Sequence, residues 1–135
     1  MKALLQRVSS SKVEVEGKVV GQISKGLLVF IGIEKQDDMM SSDKMVKKIL
    51  SYRVFPDSDE KMNLSIRDIN GELLIVSQFT LAADTKNGTR AGFSTAMPPT
   101  EAEKLYNNFL EKTQSMGTIT ESGIFGVDMQ VSLVN

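Results

Sequence analysis

Apolar residues fall along this chain in two patterns, continuous short runs and every-second-residue alternation, and both belong to strands. Leu73-Leu74-Ile75-Val76 is a run of the first kind. A stretch that apolar belongs in the middle of a sheet, covered on both faces. It runs straight into Ser77-Gln78-Phe79-Thr80-Leu81, so Ser77, Gln78 and Thr80 are expected to emerge at the end of a buried strand. There, backbone donors and short hydroxyls can line a pocket; the alternative is a strand that simply ends in polar residues. Gly26 opens a second buried run, Leu27 to Ile33, and Ala3 to Val8 reads as the first strand. Val13-Glu14-Val15-Glu16 alternates as a half-exposed strand does, and Gly17-Lys18 turns it into Val19 to Ile23. Val54-Phe55-Pro56 is a short extended piece, Asn63 to Ile66 a short strand, and Thr118-Ile119-Thr120 begins another. Asn70-Gly71 is a two-residue turn signal ahead of the central strand. The most regular alternation comes last, with Val127, Met129, Val131 and Leu133 facing one way and Asp128, Gln130 and Ser132 the other.

Two segments change period. Met45, Val46, Ile49 and Leu50 share one helical face, with Asp37 or Asp38 as the cap. Lys44, Lys47 and Lys48 lie elsewhere on that helix, as a solvated side or an RNA-facing patch. The second helix is expected to open on a Thr100–Glu103 capping box, with Thr100 as N-cap. Its stripe of Ala102, Leu105, Tyr106, Phe109 and Leu110 reads as core packing, and Gly117 ends it. The acidic loop Asp57 to Lys61 lacks the glycine and distal glutamate of a calcium loop and reads as solvated. Between Leu81 and Pro98-Pro99 lies a long segment poor in apolar periodicity, which carries Lys86 and Arg90. Long loops beside buried strands are over-represented at functional sites. The pattern predicts an α/β fold over residues 1–135 as a single domain: three layers, β/β/α, with mixed, mostly antiparallel sheets and two main helices.

Composition narrows the chemistry. The 135 residues are 41% hydrophobic and 24% charged, with a net charge of -1, which argues against a broad nucleic-acid surface. Contact with a nucleic acid is then expected to be local, one strand end held in a pocket. There is no cysteine and no histidine. Disulfides, thiolate sites, cysteine nucleophiles, the Ser-His-Asp triad and the imidazole base are therefore excluded. No Ser-x-x-Lys spacing surrounds Ser77 or Thr80, so their hydroxyls read as hydrogen-bonding groups rather than nucleophiles. With the Gln78 amide and the Phe79 N–H they are placed to polarise a carbonyl and hold a water, which suits an activated ester far better than an amide. The N-terminus has no signal-peptide pattern, and the run Leu27 to Ile33 is too short to span a membrane, so a cytoplasmic location is expected.

The residues resemble the D-aminoacyl-tRNA deacylase family across essentially the whole length. The matching blocks are Leu5-Gln6-Arg7-Val8, Gly26-Leu27-Leu28-Val29, Lys61-Met62-Asn63-Leu64, Ser77 to Asp84 and Asp128 to Asn135. The resemblance implies a cofactor-free cytoplasmic homodimer that acts on the aminoacyl-tRNA 3′ end, with neither membrane nor DNA as partner. Its reaction is hydrolysis of the ester joining a D-amino acid to tRNA, or glycine mischarged on tRNA-Ala. It implies Ser77, Gln78, Phe79 and Thr80 as catalytic residues, with the Phe79 N–H polarising the carbonyl and Thr80 as a wall. The implied substrate-binding residues are Arg7, Lys86, Arg90, Phe125, Met129 and Asn135. In the family, an asparagine matching Asn135 continues into a Gly-Pro dipeptide with a cis bond. That dipeptide enters the partner's site and excludes L-side chains, steadied by a residue matching Arg7. The 135 residues end before it, so the segment is expected to be missing here. Arg90-Ala91-Gly92-Phe93 departs from relatives that carry proline and serine after the arginine. An aminoacyl ester has a free ribose hydroxyl beside it, which leads to substrate-assisted hydrolysis by water, without a covalent intermediate. A non-catalytic tRNA-end-binding or dimerisation module of the same fold is the alternative.

Overall fold

The computed structural model describes residues 1–135. The two continuous apolar runs lie side by side at its centre. Strand β4 (Gly26–Gly32) pairs in parallel with β7 (Glu72–Ser77), in a register running from Gly26↔Glu72 to Ile31↔Ser77. Strand β1 (Lys2–Val8) flanks β4 in antiparallel, and β8 (Thr120–Ser122) flanks β7 in parallel, giving a four-stranded sheet of order β1-β4-β7-β8. A second, antiparallel sheet has the order β3-β2-β9, from β2 (Ser10–Val15), β3 (Lys18–Ile23) and β9 (Gln130–Val134).

Successive strand residues point to opposite faces, so the central run belongs to two cores. Leu73 and Ile75 join Leu27, Val29 and Ile31 beneath helices α1 (Met39–Ser51) and α2 (Pro99–Ser115). Leu74 and Val76 join Leu28, Val8, Val13 and Ile23 against the second sheet. All four β7 side chains are at most 1% exposed. Each contributes about 1.5–3 kcal/mol by its burial, so β7 is clamped from both sides. The three-layer β/β/α architecture, its mixed sheets and its two helices are as the pattern predicted. No helix is long and apolar enough to cross a membrane.

Four local expectations need correction. Helix α2 starts before Thr100: Pro98 is its N-cap and Pro99 its first residue, with no side-chain cap. Proline at that position loses no hydrogen bond and arrives with helical φ, so the Thr100–Glu103 box is not used. A capping box forms on α1 instead, where Asp38 Oδ1 accepts from Ser41 N and Asp38 N donates to Ser41 Oγ, both at 2.8 Å. The short strand is β6 (Met62–Leu64), paired with β5 (Phe55–Pro56), and stops before Ser65 and Ile66. The Asp68 carboxylate diverts the chain there, accepting from Ser65 N at 2.7 Å and Ser65 Oγ at 2.6 Å. The third correction lies at β8, which begins at Thr120 rather than Thr118. The last alternation becomes strand only at Gln130, because residues 125–127 turn about Gly126, whose φ of 76° favours glycine. The acidic loop is ordered by Asp57, whose carboxylate accepts from the N–H groups of Asp59 and Lys61 and the Asn63 amide.

Candidate active site

Strand β7 ends at Ser77, the last residue with a β4 partner, and the chain folds at once into a single 3-10 turn, Phe79–Ala82. The turn is seated against β4 by one short residue. A Cβ on Gly32 would lie 2.7 Å from Leu81 Cβ and 3.1 Å from the Gln78 carbonyl oxygen, so only glycine lets the two backbones approach this closely. Gln78 N donates to Ile31 O at 2.8 Å, which fixes the start of the turn to the neighbouring strand. The Gln78 side chain does not cap the turn; its Nε2 donates to Thr80 Oγ1 at 2.6 Å instead. The leading N–H groups of such a turn have no partner inside it, and Phe79's is the first of them.

Above this end of the sheet lies a cleft of about 820 Å³. Its floor is apolar, from Ile31, Ile33, Val76 and Ala102, and one side is Ser77, Gln78 and Phe79. Phe125, Gly126, Val127, Asp128 and Met129, the irregular segment before β9, also line it. The loop between β7 and α2 closes the rim with Phe93, Ser94, Ala96 and Met97. That loop is tied back at several points. Asp84 and Gly92 exchange both backbone hydrogen bonds, Lys35 N donates to Thr95 O, Met97 N donates to Ile33 O, and Thr95 Oγ1 donates to Ala82 O.

Helix α2 sets the position of the β7 end from below. Tyr106 Oη donates to Ile75 O at 2.8 Å, a carbonyl that also accepts from Gly123 N at 3.0 Å. Burial pushes the Tyr106 phenol far above its ordinary range, tempered by the nearby Ser77 main chain, so it stays neutral. The same ring packs against Phe125, centroids 5.7 Å apart.

The structure thus brings together Ser77, Gln78, Phe79, Phe125 and Met129 around one cleft. Thr80 sits just behind, exposed and bonded to Gln78. The other expected binding residues lie elsewhere. Lys86 and Arg90 are exposed in the loop beyond Asp84 and do not line the cleft. Arg7 lies at the opposite end of the sheet, across from Leu27, with its Nη1 on Val54 O at 2.9 Å. Asn135 follows Val134, whose carbonyl accepts from Ser9 N at 2.9 Å, so it too lies away from this chain's own cleft.

Sequence reasoning missed Lys35 and Asp128 as lining groups, although they are the cleft's only charged residues. It also missed the edge-to-face pair of Phe79 and Phe93, centroids 5.1 Å apart. Lys35 sits just past the buried run of β4, in a polar segment that reads as an ordinary strand end. Phe93 stands alone in an unpatterned loop. Neither carries a periodic signal.

The family profile described as D-Tyr-tRNA(Tyr) deacylase matches residues 4–135. A D-aminoacyl-tRNA deacylase of Pseudomonas fluorescens (strain Pf0-1) is 55% identical over 135 residues, which is 100% of this chain and 93% of that protein. Its counterpart from Pseudoalteromonas translucida (strain TAC 125) is 52% identical with the same coverage. Among solved structures, a c-Myc DNA Unwinding Element Binding Protein superposes with a TM-score of 0.94 at 39% identity, over 100% of this chain and 92% of its own. A probable eukaryotic D-amino acid tRNA deacylase superposes with a TM-score of 0.83 at 16% identity, over 97% of this chain and 91% of its own, which supports the fold.

Proposed function

This chain belongs to the D-Tyr-tRNA(Tyr) deacylase family, and on that premise we propose how a D-aminoacyl-tRNA deacylase made of these residues cleaves its substrate. The enzyme is a hydrolase that discharges D-aminoacyl-tRNA. In our reading the 3′-terminal aminoacyl-adenosine enters the cleft with its ester carbonyl against the Phe79 N–H. The Phe125–Met129 side carries the adenosine, and Ser77 and Gln78 hold the attacking water.

Water adds to the ester carbon, and negative charge collects on the carbonyl oxygen, where the Phe79 N–H meets it. A preorganised donor of this kind contributes on the order of 10²–10³ in rate. The carbon–oxygen bond to the ribose then breaks, and the proton from water ends on the ribose oxygen. The neighbouring ribose hydroxyl assists that transfer, so no side chain with a pKa near neutrality is needed. The products are the free D-amino acid and tRNA, and no enzyme–acyl bond forms.

Discrimination works by exclusion. A wall that clashes with an L-side chain leaves glycine free to enter, so glycine mischarged on tRNA-Ala is a substrate alongside D-aminoacyl-tRNA. The enzyme acts as a homodimer in the cytoplasm, proofreading charged tRNA, with the Asn135 end of one protomer reaching the other's cleft. The far placement of Asn135 and Arg7 from their own cleft supports that arrangement. Lys86 and Arg90 meet the acceptor stem from the exposed loop.

The observation that carries the reading is Phe79 as the first residue of the 3-10 turn, lining an apolar cleft. Its test is deacylation of labelled D-tyrosyl- and L-tyrosyl-tRNA: rapid release from the first with sparing of the second is expected. Equal release from both refutes the exclusion step. The neighbour named as a DNA-unwinding-element binding protein favours a second reading, a non-catalytic nucleic-acid-end-binding module, and tight tRNA binding with no release in the same assay selects it.

A further inference from the structure

Phe79 and Phe93 are large apolar side chains left open to solvent, 59% and 41% exposed. They touch edge to face, with ring centroids 5.1 Å apart and planes at 64°, and both line the cleft. The contact joins two separate segments, the 3-10 turn after β7 and the loop before α2. Two exposed aromatic rings in contact beside a cleft make an apolar patch, the kind of surface that marks a binding groove.

The same rim carries the cleft's one cationic side chain. Lys35 is held to the loop that carries Phe93, because Lys35 N bonds to Thr95 O, two residues further on, and Glu34 bridges Ala96. Its side chain is exposed and takes part in no ion pair. Aromatic rings for stacking, set next to a cation for the backbone, are the combination by which proteins hold single-stranded nucleic acid without reading its sequence.

We propose that Phe79, Phe93 and Lys35 form a second nucleotide subsite. It takes the residue 5′ to the terminal adenosine, stacking that base on the aromatic pair and placing the linking phosphate near Lys35 Nζ. This rests on the deacylase reading and deepens it. The cleft's volume of about 820 Å³ stands high in the roughly 300–1,000 Å³ range of small-ligand sites, leaving space at the rim once one nucleoside ester is inside. Stacking is indifferent to base identity, so the subsite registers that a strand continues without restricting which tRNA is bound.

The readout is a ratio: kcat/KM for a D-tyrosyl ester on the dinucleotide CpA over that for the same ester on adenosine alone. In the intact protein the ratio is expected to be about tenfold or more, the scale of one base–aromatic stack. Phe93→Ala brings it close to one and Phe93→Trp restores it. Lys35→Gln lowers it and flattens its dependence on salt, by about one phosphate contact. A ratio near one in the intact protein overturns the subsite, as does a Phe93→Ala loss of equal size on both esters, which makes the ring merely a wall. Failure to hydrolyse either ester sinks the deacylase reading itself. In that case equilibrium binding of CpA against adenosine still decides the subsite, with equal affinity counting against it. Should Phe93→Ala weaken self-association and leave the ratio intact, the pair belongs to a protein interface and the subsite is wrong.

Discussion

Tyr106 of helix α2 reaches across the core to donate its hydroxyl proton to the Ile75 carbonyl, 2.8 Å away and two residues before the polar end of β7. This bond and the ring's contact with Phe125 tie one residue of the helical layer to two of the segments that line the cleft.

Replacing Tyr106 with phenylalanine removes that hydrogen bond and keeps the packing. The Ile75 carbonyl still holds its bond from Gly123, so the loss is the modest one of about 0.5–1.5 kcal/mol. The phenol's pKa is raised in the folded state by burial. Its contribution is therefore complete below the unfolded value of about 10 and fades as pH climbs above it, because only the unfolded chain ionises there. Thermal melts at pH 7 and pH 10.5 should show a wild-type decline that Tyr106→Phe lacks in part.

Gly32→Ala tests the seating of the 3-10 turn. The new methyl meets Leu81 Cβ and the Gln78 carbonyl at 2.7 and 3.1 Å, and overpacking of this kind costs about 1–3 kcal/mol. Displacing the Phe79 amide by even a fraction of an ångström is expected to lower kcat by an order of magnitude or more, with a smaller change in KM. Unchanged kcat in a folded variant counts against the amide's role.

Ser77→Ala and Thr80→Ala are expected to retain activity within about a hundredfold of wild type, since loss of a true nucleophile costs on the order of 10⁶. Thr80→Ala releases the Gln78 amide from its 2.6 Å bond and so affects water placement more than chemistry. Mass spectrometry of protein quenched during turnover should show no acyl adduct. A tRNA ending in an adenosine without the neighbouring hydroxyl should react poorly even with wild type.

Chirality gives the fourth test. Rates on D-tyrosyl-, glycyl- and L-tyrosyl-tRNA, measured with the intact protein, should fall in the order of side-chain clash, with glycine close to the D-substrate. A glycine rate as low as the L rate would mean that attraction to the D-side chain, not exclusion of the L, sets the choice.

Much of the fold was legible because its signals are periodic. The buried runs of β4 and β7, the stripe on α2 and the alternation of β2 each report how many faces an element hides, whereas the alternation at the end of the chain leaves Val127 and Leu133 exposed. Signals that rest on competition between neighbours were not. Thr100 looked like a cap until Pro99 took the first helical position, and Asn63 to Ile66 looked extended until Asp68 captured Ser65. The site was half legible. Ser77 to Phe79 follow from where a buried strand ends, and Phe125 and Met129 came with the family resemblance. Lys35, Phe93 and Asp128 reach the cleft only through loops tied together over long sequence distances, which leave no local pattern. Arg7 and Asn135 lie at the far end because β1 and β9 carry their ends away from it.

Because β7 alternates its side chains between the two cores, neither core can loosen while the strand stays in place. Amide protons along Leu73 to Val76 should consequently exchange with deuterium only when the whole molecule opens, with one common opening free energy. The loop carrying Phe93, held by a few backbone bonds at the surface, should exchange orders of magnitude faster.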